Sequence, residues 1–333
     1  MLNFISLFTS PFRKIAQMLR HFPMNYHEQK AYFAEYMDSL RYKLHNLLQV
    51  NIDLGIYHIN MGNFNDAILR FKLIDKFLSK GDPRVYYYLG WCYLFKGNVP
   101  KALKSFEQVP NMDNIGLITF LQNKDNAAVI PREFSKTYKE LNIKAEQDRL
   151  EAESLNLPHL FVRELRDVVE ELPKDCKVLD LGVSLGFIGS EMNKVLPKNY
   201  HLTGVESVGW MVDNALILKE KGVYDAVQNQ TIQDFLIAKA EEYDIITSFC
   251  SLGFAKNLTE CFAQIHRNLK PSGYFAVVLP MREATILNLG NCSFEYSRQD
   301  VEEQLKLAGF RIVRIKEWDS GKPRAYTMFI LIK

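Results

Sequence analysis

Residues 177–189 read Lys177-Val-Leu-Asp-Leu-Gly-Val-Ser-Leu-Gly-Phe-Ile-Gly189. Three apolar residues and an acid run into a turn with glycine at 182, 186 and 189, and 187–195 can be helical. A strand passing through glycines into a helix brings backbone against a nucleotide-like cofactor, because glycine has no Cβ to hold the ligand off. The same pattern also serves as a bare strand-to-helix connection. The spacing Asp180, Gly182, Gly186, Gly189 is not the dinucleotide fingerprint, which disfavours a nicotinamide dehydrogenase. A second acid, Glu206, ends the next apolar segment 26 residues after Asp180. A carboxylate about 20 residues beyond such a turn is the usual means of holding two ribose hydroxyls. Gln230-Thr231 follows a third short strand, where an adenine edge needs a polar side chain and a backbone amide. Ser248 lies at the end of a fourth, 244–249, at the same edge.

These residues need a sheet to bring them together, and the pattern supplies one. Strands are expected at 201–206, 226–230, 244–249, 274–279, 310–318 and 326–332, and helices at 211–221, 232–240, 258–269 and 300–307. Segment 244–249 is the near-continuous apolar run of a buried parallel strand. Together with the glycine-linked strand this makes seven strands, alternating with helices and closing on a strand pair. That describes a three-layer Rossmann-like α/β domain with an antiparallel C-terminal pair. Its ligand belongs beyond the carboxyl ends of the strands, where strand order reverses.

The first third of the chain repeats itself. Gly55, Gly62, Ala67 and Phe71 recur 35 residues later as Gly90, Gly97, Ala102 and Phe106. Close helix contact at the first glycine, a left-handed stop at the second and a small residue at the crossing describe a helix-turn-helix unit. It resembles the tetratricopeptide repeat, whose period is about 34 residues. The repeats fall at about 48–81 and 83–116, with capping helices expected at 26–48 and 114–122. Ile52, Ile56, Ile59, Tyr87, Trp91 and Phe95 would line their groove, covered either by a partner peptide or by the protein's own helices. The expected organisation is therefore multidomain: an N-terminal all-α repeat domain at 1–125, a linker and lid segment at 126–150, and an α/β domain at 151–333.

The run 177–333 resembles a class I S-adenosylmethionine-dependent methyltransferase, through the segments LDLG…G, GVES, YDIITS, LKPSG and AGF in order. With the upstream repeats the chain looks like the predicted methyltransferases that carry tetratricopeptide repeats. The resemblance implies S-adenosylmethionine as cofactor, held by Asp180, Gly182, Ser184, Gly186, Glu206, Ser207, Gln230, Thr231 and Ser248. It also makes Tyr138, in the run Phe134-Ser-Lys-Thr-Tyr138, a lid candidate. Ser184 departs from the glycine usual at that place and adds a Cβ where the methionine portion approaches. The implied reaction is an in-line displacement that needs positioning and water exclusion more than a base. Ser248-Phe-Cys-Ser251 stands where amino-adenine and glutamine methylases carry a Pro-Pro-Tyr element, which favours an O-, N- or C-acceptor on a small molecule, carrier or protein.

No catalytic base and no metal site is assigned. Cys250 as a nucleophile competes with a buried small residue, and His159 and His266 with helix packing. Arg282-Glu283 could reach an acidic substrate or simply face solvent. A net charge of +2 argues neither for nor against a nucleic-acid surface, but the lack of a basic block speaks against wrapping of duplex DNA. Five scattered cysteines without a CxxC pair fit a reducing, cytoplasmic setting. No apolar run reaches the ~18 residues of a membrane span. The acid-free stretch 1–27, with Arg13, Lys14 and Arg20, leaves targeting or peripheral membrane contact open beside simple helix packing. A non-catalytic repeat adaptor on a degenerate methyltransferase scaffold is the alternative reading.

Overall fold

A computed structural model of the chain describes residues 26–112, 116–154, 156–169, 171–197, 199–238, 242–319 and 325–333. The basic segment 1–27 lies outside them except for its last two residues, as do residues 114 and 115 of the second expected cap. The chain divides into two compact units between Asn51 and Ile52. Helix α1 (Tyr26–His45) belongs to the first unit and shows many exposed side chains, Phe33 and Tyr42 among them. Helix α2 (Leu47–Asn60) carries the division within it. All that follows concerns the second unit.

Helices α3 (Phe64–Phe77), α4 (Pro83–Phe95) and α5 (Val99–Phe106) continue from α2 as two helical hairpins with matching contacts. A Cβ on Gly55 would lie 2.4 Å from Cζ of Phe71, and one on Gly90 would lie 2.3 Å from Cε1 of Phe106. Each glycine therefore makes room for the phenylalanine of the following helix. Gly62 and Gly97 stop the first helix of each pair at φ 73° and 71°, and the Asn63 and Asn98 amides donate back to the carbonyls of His58 and Tyr93. Ala67 and Ala102 are wholly buried. Helix α6 (Leu117–Gln122) follows, then α7 (Arg132–Leu141), α8 (Ile143–Ser154) and α9 (Leu157–Val168).

The α/β part contains β1 (Cys176–Leu181), α10 (Phe187–Val195), β2 (Tyr200–Glu206), α11 (Gly209–Glu220), β3 (Ala226–Asn229), α12 (Ile232–Ala238), β4 (Tyr243–Phe249), α13 (Thr259–Asn268) and β5 (Leu269–Met281). Strands β6 (Ile286–Asn288) and β7 (Ser293–Glu295) form a separate hairpin, and α14 (Arg298–Leu307), β8 (Arg311–Asp319) and β9 (Ala325–Ile332) complete the order. The main sheet runs β3-β2-β1-β4-β5-β9-β8. Its first five strands are parallel, and β9 pairs antiparallel with β5 and β8, so the expected seven-stranded sheet and its C-terminal pair are present. The β6–β7 hairpin is an addition, since strands of three residues are too short to show a period.

Strand residues alternate between two cores. Phe275, Val277 and Leu279 join one cluster, while Ala276 and Val278 join the other. The second cluster takes Phe161, Val162 and Leu165 of α9 and Ile188 and Met192 of α10. The first extends from the sheet into the helical hairpins through Trp91, Leu94 and Phe106. Helix α7 bridges them: Phe134 stacks on Trp91 at 5.5 Å and Tyr138 meets Phe95 edge-on at 5.1 Å. Of the expected groove residues, Trp91 is thus covered by the protein's own helix.

Candidate functional site

Strand order reverses between β1 and β4, and the cleft at their carboxyl ends is built from the loops that follow β1, β2, β3 and β4. Gly182, Ser184, Glu206, Ser207, Gln230 and Thr231 all line it. Asp180, Gly186 and Ser248 do not, although Ser248 precedes the lining Phe249 and the other two lie two positions from Gly182 and Ser184.

Glu206 organises the cleft. The amide of Ser184 donates to its Oε2 at 2.9 Å, and the amides of Ser207 and Val208 donate to Oε1 at 2.8 and 3.1 Å. The carboxylate therefore links the β1 turn to the start of α11. Three of its roughly four acceptor sites are taken, which leaves one on Oε2 for a ligand hydroxyl. Ser184 sits at φ 53°, and its Oγ is buried without a hydrogen-bond partner. Cys250 and Cys292 also line the cleft with φ of 55° and 51°. Three non-glycine residues in a sparsely populated conformation thus gather at one site, where such strain tends to collect.

Asp180 lies beneath the turn, 1% exposed. Tyr224 donates its hydroxyl to Oδ2 at 2.7 Å and Thr247 donates to Oδ1 at 3.0 Å. Burial pushes the Asp180 carboxyl up to about 6; the two hydroxyls work against that rise, and the nearby Glu206 charge adds to it. The third glycine of the turn serves this bond, since a Cβ on Gly189 would meet Cζ of Tyr224 at 2.6 Å. Gly186 precedes α10 in a left-handed conformation. Ser248 is wholly buried in β4, with its Oγ unpartnered among the described residues.

Thr231 caps α12, its Oγ1 accepting from the Asp234 amide at 3.2 Å and donating to the Asp234 carboxylate at 2.7 Å. Arg132 of α7 donates to the same carboxylate at 2.7 Å, so an ion pair bridges α12 and α7 at the cleft. The Thr231 hydroxyl and then Arg132 hold the Asp234 carboxyl below the usual range. Helices α7 and α8 line the cleft through Ser135, Lys136, Lys139, Glu146, Arg149 and Leu150. Tyr138, the lid candidate, does not line it. It is 2% exposed and donates its hydroxyl to the carbonyl of Gly290 at 3.0 Å, which anchors α7 while the opposite face covers the cleft. The cleft volume is about 150 Å³.

Sequence reasoning missed Arg132, the Glu146–Arg149 pair and the hairpin residues Cys292 and Ser293 as lining. The i,i+3 acid–base spacing of Glu146 and Arg149 was visible, but a surface helix shows the same spacing. Nothing local marks Cys292. Among the described residues no cluster of three or more His, Cys, Asp or Glu side chains is arranged to hold a metal, and no helix is long and apolar enough to cross a membrane.

Residues 172–325 match the family model described as a methyltransferase domain. Over these residues the chain has the Rossmann-like methyltransferase fold, a seven-stranded sheet closing on an antiparallel pair. No curated protein matches the chain. Similar solved structures include a SAM-dependent methyltransferase of Leishmania major (17% identity, TM-score 0.41, covering 53% of this chain and 72% of that one). TehB of Haemophilus influenzae gives 18% identity and a TM-score of 0.40, covering 52% and 61%. The glycopeptide N-methyltransferase MtfA gives 14% and 0.41, covering 51% and 93%.

Proposed function

We propose, from a methyltransferase domain at 172–325 with its cleft at the strand-order reversal, that the protein is an S-adenosylmethionine-dependent methyltransferase. The observation that carries this reading is the meeting of Gly182, Ser184, Glu206, Ser207, Gln230 and Thr231 from three separate loops in one cleft. Those residues suit the cofactor. Glu206 keeps an acceptor for a ribose hydroxyl, Gln230 and Thr231 stand where an adenine edge would lie, and the Ser184 hydroxyl has an unmet hydrogen bond. When bound, the cofactor supplies a methyl group already activated by its sulfonium.

The chain's own residues then have three tasks. Glu206 fixes the β1 turn and so sets where backbone meets ligand. Phe249 and Phe254 give the cleft apolar walls, and α7 and α8 exclude water. The ion pair between Arg132 and Asp234 closes the cover against α12. The acceptor presents an O, N or C nucleophile on a small molecule, a carrier or a protein. We read the hairpins of α2–α5 as tetratricopeptide repeats on the strength of their matching glycine–phenylalanine contacts. On this reading they recruit a partner or substrate through the exposed Leu54, Tyr57 and Met61 rather than the covered Trp91.

One observation favours a second reading. A cleft of about 150 Å³ is below the ~300 Å³ at which ligand sites begin, as in a repeat adaptor whose methyltransferase domain has closed. Calorimetric titration of the full chain with S-adenosylmethionine, S-adenosylhomocysteine and NAD separates the two. Saturable binding of both sulfur ligands and none of NAD is the expected result. Failure of both to bind would sink the enzyme in favour of the adaptor.

A further inference from the structure

A second cavity, of about 510 Å³, lies beside the cleft and shares no lining residue with it. We infer that it binds a small organic oxyanion, a carboxylate or phosphate carried on a short apolar body. Its volume falls inside the range of ligand sites, roughly 300–1,000 Å³.

Three cations line the cavity: Lys124, Lys256 and Arg282. Lys124 is paired with Asp125. Lys256 has no carboxylate partner among the described residues. Arg282 is held from behind, its Nε bonded to Glu295, which is wholly buried and also accepts from Asn288 Nδ2 at 2.7 Å. Burying a carboxylate is costly unless it is paired. Here the pairing fixes the plane of a guanidinium that is itself partly exposed at a cavity wall, with its side chain 36% accessible. A guanidinium fixed through Nε still offers its two terminal amines, the fork that suits carboxylate and phosphate. Leu287, Leu289 and Phe294 supply apolar surface for the body of the ligand.

Main chain separates this cavity from the cleft. Val129 bridges Ala255, the Ile130 amide donates to the Phe254 carbonyl at 2.8 Å, and the Lys256 amide donates to Ala128 at 2.7 Å. Ile130 and Phe254 face the cleft, while Ala127 and Lys256 face the cavity. The β6–β7 segment divides in the same way, with Cys292 and Ser293 on the cleft and Leu289 and Phe294 on the cavity. The oxyanion site is therefore separate from the cofactor site.

Calorimetry on the full chain with hexyl phosphate, hexanoate and inorganic phosphate tests this. Hexyl phosphate or hexanoate should saturate a single site, undisturbed by excess S-adenosylhomocysteine. The tighter of the two identifies the headgroup, and inorganic phosphate should bind at least tenfold more weakly for want of the apolar body. Lys256→Gln and Arg282→Gln should each weaken binding about tenfold, the loss of one charge-assisted contact. Lys256 is exposed, so its variant keeps the test sound if Arg282→Gln misfolds by stranding Glu295. The inference is overturned by absence of saturation, by unchanged affinity in Lys256→Gln, or by displacement of the probe with S-adenosylhomocysteine.

Discussion

The amide of Ser184 donates to Oε2 of Glu206 across 2.9 Å, so the turn after β1 hangs from the last residue of β2. Twenty-two residues separate them in the chain. One carboxylate thereby both shapes the glycine turn and presents its remaining acceptor to the cleft.

Glu206→Gln should damage both roles. Its amide group can satisfy only part of the donor set of Ser184, Ser207 and Val208. One orphaned buried donor costs about 1–3 kcal/mol. Urea unfolding should show a loss of that size, and titration should show S-adenosylhomocysteine binding weakened by a factor of about 100 or more. Full stability together with full affinity would mean that the carboxylate is dispensable.

Ser184→Gly should stabilise the protein. Serine here sits at φ 53° with an unpartnered buried hydroxyl. The left-handed region costs a non-glycine residue about 1–2 kcal/mol, and glycine returns roughly 0.5–1 kcal/mol of that through the unfolded chain. A net gain of about 0.5–1 kcal/mol is expected from denaturant midpoints. Cofactor affinity should be equal or tighter, since the Cβ at the turn is gone. A drop in affinity would instead show that the hydroxyl contacts the ligand.

Gly90→Ala should destabilise by about 1–3 kcal/mol, the usual cost of overpacking, because the new Cβ falls 2.3 Å from Cε1 of Phe106. Adding Phe106→Leu should recover part of that loss in a double-mutant cycle, since the collision is with that ring. Strictly additive losses would place the strain elsewhere. Gly55→Ala against Phe71 should behave alike, as the same contact one repeat earlier.

The Asp180 carboxyl gives a pH signature. Its folded value is raised from 3.8 to about 6 by burial, so its contribution to stability is complete below pH 4 and is lost as pH rises through 6. Asp180→Asn has no such titration. Between pH 4 and 7 the wild type should lose on the order of 3 kcal/mol relative to the variant. Unfolding midpoints at the two pH values measure it, and a difference that stays flat would mean an ordinary carboxyl.

By itself the sequence determined whatever short-range pattern governs. The 35-residue echo of Gly55, Ala67 and Phe71 marked the helical hairpins, and short apolar runs set between helical stretches marked all seven strands of the main sheet with its closing pair. The order of the glycine turn, Glu206 and Gln230-Thr231 marked the loops that meet in the cleft. Only the tertiary structure decided which way these residues face. Asp180 turns inward because Tyr224, 44 residues away, and Thr247, 67 away, satisfy its oxygens. Tyr138 anchors rather than covers, because Trp91, Phe95 and the Gly290 carbonyl take up its ring and hydroxyl. The short β6–β7 hairpin carries no period, yet it supplies walls to two cavities. Periodicity fixes a residue's place on its own element; its partners across 40 to 150 positions of chain fix its environment, and these exist only once the layers have packed.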